Sequence, residues 1–531
     1  MRKNIIINNM INKPISVMPL SRQVRYFKES RENWKERALD KQEQLRFFSQ
    51  KNFDLEKSRE KWKREALSGR EEIKELKKEI ENLKKNQSVE EVALTREPPI
   101  SVKEHHYTAQ IIQVSVEQVI EGGNSYRGVA TTMEIFSRSY YTECPQYNSI
   151  RNWVGRIGLY ELLRTKEKRD DWIFIVDLTL ELGKEQVLVI YGISDELWKE
   201  NILAEERGLK HTDGEILGIE VTESATGEWI ENTLKNLSKK VGNPHQIVSD
   251  NGSNLKKGIK LYQENNPEII STYDVTHAMA NLLKKELVSS ESYQSFITDC
   301  HRCKQQLKQT ELSFLVPPSQ RSQCRYFNAE RLTDWATYLL NCPLNILENL
   351  LNFMSSDKLE KRLKYKLAWL DKYQSEIPLW ATMIEMTRTL EKQLKISGLN
   401  KESPNHFYKK ISHLLISPPL ELFYHKIVNY LKNELIKVKD NQTIMATSDV
   451  LESIFGKYKN FSKRCPLKDF RQTLLTIPLL TMKLTTNIVQ QALSTVRCRD
   501  LSEWIDEIFG QSMLSKRRAV ITGSLDDMKT A

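Results

Sequence analysis

The chain has 531 residues, of which 39% are hydrophobic and 28% are charged, and its formal net charge is +10. This composition excludes a disordered chain and an integral membrane protein, and the length allows a core that needs no disulfide bonds. The basic charge favours a polyanionic partner only weakly, because it is spread over a long chain. Seven cysteines at irregular positions are typical of an intracellular protein with reduced thiols.

The apolar runs are too short for a membrane span or a signal peptide, since none approaches about 18 residues. We therefore expect no membrane association, with the protein in the cytoplasm or nucleoid of a prokaryote or the nucleus of a eukaryote. Cys300, His301, Cys303 and Cys324 could suggest zinc. Their spacing fits no standard four-ligand template, so helix packing is the expected role.

Residues 21–86 are predicted to form a helical coiled coil. "KESRENWKERAL" at 28–39 returns as "EKSREKWKREAL" at 56–67, and the displacement of 28 residues equals four heptads. The segment holds 20 Lys or Arg against 14 Asp or Glu, so its outer face is basic. Self-association is the main expectation, with DNA contact secondary. One seam position holds Phe27, Trp34, Lys41, Phe48, Leu55, Trp62, Gly69, Leu76 and Leu83; the other holds Val24, Ala38, Leu45, Ala66, Ile73 and Ile80, with Arg31, Asn52 and Arg59 as exceptions.

Residues 105–165 contain two predicted helices, near 125–137 and 147–157, joined by a Cys-Pro turn. This arrangement is typical of a helix-turn-helix DNA-binding domain, although most helix pairs bind no DNA. The predicted DNA-binding residues are Arg151, Asn152 and Arg156. The predicted core consists of Ile135, Ile150, Trp153, Val154 and Ile157, and the side chains predicted to point outward are Arg138, Asn148, Arg151, Asn152 and Arg156.

Residues 170–287 are predicted to form a mixed α/β sheet. Apolar strands near 172–182 and 186–194 flank a turn at Gly183, and a third strand follows near 214–224. Helices then alternate with strands near 245–253 and 268–277. Residues 288–445 show helical spacing of Leu, Lys and aromatic residues, broken at "PPSQR" and "SPPLE", and predict a helical insertion. Residues 446–531 are predicted to complete the core with further helices.

Three acids stand out against this background. Asp177 lies inside the first strand, where an unpaired carboxylate is costly. Asp250 ends the fourth strand at "IVSDNG", and ligands gather at strand ends in such sheets. Glu452 sits among Val450, Leu451 and Ile454 at the start of a helix, where an acid could simply complement the helix dipole.

This order of elements resembles the ribonuclease H fold, in which the first and fourth strands are parallel neighbours. Over residues 170–460 the chain is similar to DDE transposases, with Asp177, Asp250 and Glu452 as the triad. The resemblance implies an α/β ribonuclease H-like catalytic core with a large α-helical insertion, plus an N-terminal coiled coil and helix-turn-helix. The gap of 202 residues before Glu452 corresponds to the insertion.

Smaller motifs leave the particular transposase family open. "DNGSN" at 250–254 is similar to the second-aspartate motif of hAT-like transposases and integrases, and "DVTH" resembles a signature of eukaryotic cut-and-paste superfamilies through Asp274 and His277. Glu452 and Lys459 match half of the Tyr-Arg-Glu-Lys signature of a bacterial insertion-sequence family. In the other half, Ser448 and Met445 occupy the arginine and tyrosine positions.

The resemblance implies two Mg²⁺ or Mn²⁺ ions held by the triad, because three clustered carboxylates need cationic compensation. It implies double-stranded DNA as the partner, with cleavage at transposon ends followed by strand transfer into target DNA. Lys459, Lys457 and His277 join the predicted DNA-binding residues. Two alternatives remain: a catalytically silent domesticated transposase that binds DNA as an oligomer, and a structure-specific or RNA–DNA hybrid nuclease.

Overall fold

The computed structural model describes most residues of 19–63, and then 100–140, 144–180, 185–319, 326, 328–341, 356–464, 471–511 and 513–522. The chain divides into two compact units, Met1–Arg96 and Glu97–Ala531. Within the described residues, no helix is long and apolar enough to cross a bilayer.

The first unit is helical wherever it is described between residues 20 and 63. Large apolar side chains at the predicted seam positions are exposed on this helix, including Val24, Phe27, Trp34, Leu45 and Leu55. Trp34, for example, is 67% exposed. The continuation of the predicted coiled coil from residue 64 to 86 lies outside the described residues, and the pairing of the seam stays a prediction.

The second unit contains sixteen helices of eight or more residues and five strands among its described residues. In chain order they are α1 Ala109–Ile120, α2 Tyr126–Tyr140, α3 Tyr147–Leu163, β1 Trp172–Leu180, β2 Gln186–Ser194, β3 Glu215–Thr222, α4 Gly227–Val241, β4 Pro244–Ser249, α5 Ser253–Glu264, β5 Ile270–Tyr273, α6 Val275–Val288, α7 Glu291–Leu307, α8 Ala329–Asn341, α9 Ser356–Leu367, α10 Glu376–Ser397, α11 Ser403–Ile411, α12 Pro418–Leu435, α13 Asp449–Ser462, α14 Thr486–Thr495, α15 Cys498–Phe509 and α16 Met513–Thr522.

Short helical turns connect several of these elements. They are Asp195–Leu197, Trp198–Leu203, His211–Asp213, Ser313–Leu315, Ala368–Tyr373, Ser412–Leu414, Gln472–Leu475 and Thr476–Leu479.

The five strands form one mixed sheet in the order β3-β2-β1-β4-β5. β1 to β3 form an antiparallel meander, while β4 pairs parallel to β1, and β5 parallel to β4. The prediction that the first and fourth strands are parallel neighbours is confirmed. This mixed sheet with its many helices is compatible with a ribonuclease H-like core. The predicted turn at Gly183 lies outside the described residues.

Helices cover both faces of the sheet. Phe174, Val176 and Ile247 point to one face and pack against α4 and α5. α4 has a well-defined start and end, because the Thr226 side chain accepts a hydrogen bond from Trp229 N and Gly242 adopts φ 97° after its last turn. Ile173 and Ile175 point to the other face, where α13 covers β1.

The helical insertion has its own core, which α6 joins. Met279 and Leu283 of α6 pack with Phe296, Trp380 and further apolar residues of α7, α8, α10, α11 and α12. Cys300 and Cys303 of α7 are buried here, and burial raises the pKa of the Cys303 thiol to about 11. These two cysteines therefore pack as apolar side chains, as the sequence predicts; Cys324 lies outside the described residues.

The predicted helix pair exists as α2 and α3, but α3 is enclosed. Residues 153–159 of α3 are all buried, because α3 packs against residues 472–479, α14 and α15. A Cβ atom at Gly158 would lie 2.1 Å from Leu475 O, so glycine permits this close approach. Two predictions about the pair are wrong: Ile135 is 57% exposed rather than in the core, and Arg156 is 6% exposed rather than outward.

Arg156 is buried because its guanidinium binds main-chain carbonyls at the end of α14. Arg156 Nε donates to Val496 O and Arg156 Nη2 donates to Leu493 O, both at 2.6 Å. Burial lowers the pKa of Arg156. A guanidinium saturated in this way is unavailable to DNA, so Arg156 is a structural residue that ties α3 to the C-terminal helices.

Arg156→Met is expected to destabilise the protein by about 2–4 kcal/mol, because the buried Leu493 and Val496 carbonyls lose their donors. Urea unfolding followed by circular dichroism measures the change. Arg138→Met is the matched control, since the Arg138 side chain is 69% exposed and pairs with exposed Glu134. Its cost should be about 0.5 kcal/mol or less. Equal costs for the two variants would contradict this role of Arg156.

Candidate active site

The register of two parallel strands brings Asp177 and Asp250 together. β1 and β4 pair Ile175 with Val248 and Val176 with Ser249. Asp177 and Asp250 are the residues that directly follow the last paired position. Neighbouring strands lie about 4.8 Å apart, so a continued register would set the two residues side by side at the carboxyl end of β4.

Local hydrogen bonds orient both aspartates. Asp250 Oδ1 accepts from Gly252 N at 2.8 Å, and Asn251 between them has φ 57°, so the chain turns sharply out of β4. Asp177 Oδ1 accepts from Leu178 N at 2.7 Å. Both side chains are half-buried. They are therefore accessible from solvent while their orientation is constrained.

The two aspartates share the sheet face on which α13 packs. Alternate residues of a strand point to the same face, so Asp177 points with Ile173 and Ile175, and Asp250 follows Val248. α13 places Val450, Leu451 and Ile454 into the same apolar cluster, and its first turns lie against β1. The helix that carries Glu452 is thus docked on the face that carries both aspartates.

Glu452 lies on one flank of the apolar face of α13. On the other flank, Ser453 Oγ is 2.9 Å from His211 Nε2. His211 precedes β3 at the amino end of β1, because Trp172 pairs with Ser194, and Gly192 pairs with Glu215. The flank of Glu452 is therefore the one that lies away from His211. The Glu452 side chain is exposed there.

The two lysines predicted beside Glu452 lie on different flanks. At about 100° per residue, Lys459 is within roughly 20° of Glu452 around the helix axis, whereas Lys457 is about 140° away. Lys457 lies near His211. The pKa of His211 is below its ordinary value, first because the ring is partly buried and second because Lys457 is positively charged. Only Lys459 shares the flank of Glu452, and DNA contact by either lysine stays a prediction.

Asp274 caps a helix and joins the helical insertion to α13. This carboxylate is fully buried at the start of α6. Asp274 Oδ2 accepts from His277 N at 2.8 Å and contacts His277 Nδ1 at 3.0 Å, while Asp274 Oδ1 accepts from Ser448 N at 2.8 Å. The Asp-x-x-His pattern therefore fixes the entry to α13, and His277 has a structural partner in addition to its predicted DNA contact.

A buried ionic network connects the insertion to the first turn of α13. Glu391 of α10 is 5% exposed and accepts from Tyr326 Oη and Arg388 Nη1, each at 2.9 Å. Lys395 of α10 pairs with both Glu391 and Asp449. Although burial opposes ionisation of Glu391, Lys395, Tyr326 and Arg388 outweigh it and hold its pKa below the ordinary value. This network fixes α10 against the helix that carries Glu452.

The donor set suits a hard divalent cation, but the three carboxylates do not close around one point. Asp177 and Asp250 offer the adjacent oxygen ligands that Mg²⁺ and Mn²⁺ prefer. Within the described part of the chain, no three His, Cys, Asp or Glu side chains lie close enough together to hold a metal ion. The aspartate pair therefore fits a divalent cation, and Glu452 stands on the adjoining helix flank outside that pair.

The predicted DNA-binding residues of α3 differ in their exposure and contacts. Arg151 is exposed but engaged, since Arg151 Nε donates to Gln472 Oε1 at 2.7 Å. Asn152 is exposed on the first turns of α3. With Arg156 buried, Arg151 and Asn152 are the two of these three residues that remain accessible to a partner.

Sequence reasoning missed the residues that position α13. Arg388, Glu391 and Lys395 have the i,i+3 and i,i+4 spacings of helical ion pairs, and that signal was readable. Their contact with Asp449 was not, because it joins residues more than fifty positions apart.

Comparisons with known proteins add little to this geometry. No protein-family model matches the sequence, and no curated protein is similar to it. The solved Drosophila P element transposase strand transfer complex aligns over 73% of this chain and 94% of that chain, with 12% identity and a TM-score of 0.35. Similarity at this level does not establish a shared fold or function, so the interpretation of the site rests on its own contacts.

Lys395→Met should reduce the free energy of unfolding by about 1–2 kcal/mol at neutral pH, since Glu391 and Asp449 lose a half-buried cation. The folded pKa of Glu391 is depressed, so its contribution is present above its unfolded value of about 4.5 and is lost as the pH falls through the folded value. The gap between parent and variant should therefore narrow in acid. Urea titrations across pH measure it.

Lys392→Met is the control for this experiment, because Lys392 is exposed on the same helix and makes no ion pair in the described structure. A pH-independent gap for Lys395→Met, or an equal loss for Lys392→Met, would contradict the network's role.

Proposed function

We propose that this protein is a DNA transposase of the DDE type, which cleaves DNA at transposon ends and transfers the strand to target DNA. The observation that carries the proposal is the parallel register of β1 and β4, whose last pair, Val176 with Ser249, directly precedes Asp177 and Asp250. The strand order and the α13 helix with Glu452 on the adjoining flank agree with it.

The aspartate pair suits phosphoryl transfer because side-by-side carboxylates repel each other and attract cations. In the proposed first step a water oxygen attacks phosphorus and the P–O3′ bond breaks, which leaves a 3′-hydroxyl and a 5′-phosphate. In the second step that hydroxyl attacks a phosphate of target DNA, and another P–O3′ bond breaks. Asp177 and Asp250 would hold the cation that faces the reacting phosphate, because anionic carboxylates alone would repel it. Glu452 is proposed as the third acid.

Asp177 and Asp250 would hold the divalent cation, and Glu452 is proposed as the third acid of the triad although it stands outside that pair in this structure. A bound Mg²⁺ or Mn²⁺ would neutralise charge on the phosphoryl oxygens and acidify the attacking water. Lys459, on the same flank as Glu452, is positioned to bind a neighbouring phosphate.

Self-association through the first unit forms part of this proposal. The exposed Val24, Phe27, Trp34, Leu45 and Leu55 repeat at heptad spacing, and such a stripe is stable in water when a second helix covers it. A second copy of the same chain supplies a matching stripe. The transposase is thus proposed to act as an oligomer on paired DNA ends.

The triad is tested with Asp177→Asn, Asp250→Asn and Glu452→Gln. Each should lower Mg²⁺-dependent nicking of supercoiled plasmid by roughly 10²-fold or more, because each removes a charge that serves the transition state. Manganese binding, measured by electron paramagnetic resonance, should weaken in both aspartate variants. Asp170→Asn is the control, since Asp170 is exposed beside β1 and should leave both readouts unchanged.

Parent-like nicking by the aspartate variants would refute the catalytic assignment. DNA binding without any nicking by the parent would instead favour the catalytically silent DNA-binding protein. Hydrolysis without strand transfer into a second plasmid would favour a nuclease.

The double variant Phe27→Glu/Trp34→Glu is expected to convert an oligomer to a monomer, because four carboxylates would face each other in every paired seam of a dimer. Light scattering after size exclusion measures the mass. Glu32→Gln, which changes an exposed residue off the seam, should leave the mass unchanged. A monomeric parent would refute the coiled-coil proposal.

A further inference from the structure

A lysine-lined cleft opens directly beside Asp250. It lies between α5, β5 and α6 on one side and α12 with the residues that follow it on the other, and its volume is about 1200 Å³. Asn251, the residue after Asp250, forms part of its wall. We call it the lysine cleft, and its cations are Lys256, Lys260, Lys285, Lys426, Lys437 and Lys439.

The charge of the lysine cleft is only partly compensated. Its two carboxylates are Glu268 and Glu434, and Lys437 pairs with Glu434 at 2.8 Å. Lys426 pairs with Glu286. The other four lysines are exposed and have no carboxylate within ion-pair distance in the described structure. A cluster of cations held apart from carboxylates raises the local concentration of a polyanion.

The remaining lining suits a sugar–phosphate backbone better than stacked bases. Five amide side chains join the lysines: Asn251, Gln263, Asn281, Asn429 and Asn433. The two aromatic rings, Tyr273 and Tyr430, contact each other edge to face, and Tyr430 Oη donates to Tyr273 O at 2.9 Å. They are engaged in the wall and offer no open stacking surface. Recognition here would be independent of base sequence.

We propose that the lysine cleft holds the phosphate backbone of the DNA strand that leads to Asp177 and Asp250. This inference rests on the proposed function and assigns the path of its substrate. Six cations along an open cleft exceed what one phosphate group needs, and the wall continues into the turn that orients Asp250. A linear polyanion therefore fits better than a small anion.

The triple variant Lys256→Gln/Lys260→Gln/Lys285→Gln tests the path. Binding of a mixed-sequence DNA duplex is followed by fluorescence anisotropy at several salt concentrations without divalent cations. Each lost phosphate contact lowers the salt slope by about 0.9, so the slope should fall by about 2–3, with affinity reduced roughly tenfold or more at low salt. All three lysines are exposed, so circular dichroism should match the parent.

The matched control is Lys392→Gln/Lys409→Gln/Lys410→Gln, which removes the same charge from exposed lysines of α10 and α11 outside the lysine cleft. Its slope should stay near that of the parent. An equal decrease of the salt slope in both variants would mean that the effect comes from the loss of net charge alone, and it would overturn the assignment. A photocrosslinking residue placed at position 260 should also become attached to DNA. The same residue placed at position 409 should not.

The outcomes separate the two proposals. If the parent binds and nicks DNA while the triple variant keeps the parental slope, the lysine cleft is not the path and the transposase proposal stands. If the parent does not bind DNA at all, both fail. Displacement of DNA by polyglutamate at equal charge concentration would assign the cleft to an acidic protein partner and overturn the inference. The same binding measurement with single-stranded DNA shows which form of DNA the lysine cleft prefers.

Discussion

The parallel pairing of β1 with β4 is the constraint on which the candidate site depends. It aligns two buried strand segments that end in the pair Val176 and Ser249, and the residues that follow this pair are Asp177 and Asp250. Moving one strand by a single residue would turn its aspartate to the opposite face. The apolar residues of both faces oppose such a shift, because they would exchange clusters. Packing of the core therefore fixes the spacing of the acids.

The helix that carries Glu452 is held from three directions. Apolar residues of α13 pack on β1, Asp274 binds the main chain at Ser448, and Lys395 of the insertion pairs with Asp449. The insertion is thus joined to the core at the start of α13 as well as through α6. Its α12 also forms one wall of the lysine cleft. A movement of the insertion would alter both the setting of Glu452 and the width of the cleft.

Much of this architecture was predictable from local sequence. The strands, the aspartate inside the first strand, the aspartate after the fourth and the apolar face of α13 follow from residue pattern, since each depends on neighbours within about ten positions. The exposure of Ile135 did not follow. The burial of Arg156 did not follow either, because its guanidinium binds the carbonyls of Leu493 and Val496, far along the chain. The Asp449 partner of Lys395 and the walls of the lysine cleft were hidden for the same reason.

The cover of β1 by α13 also governs how the protein is made. The sheet is synthesised by residue 273, but α13 emerges almost two hundred residues later, a delay on the order of tens of seconds at usual translation rates. During that interval the apolar side chains of Ile173 and Ile175 have no helix of α13 above them. A nascent or prematurely terminated chain thus exposes an apolar surface that chaperones would bind, and it lacks Glu452. The docking of α13 therefore completes the fold and supplies the third acid in the same step.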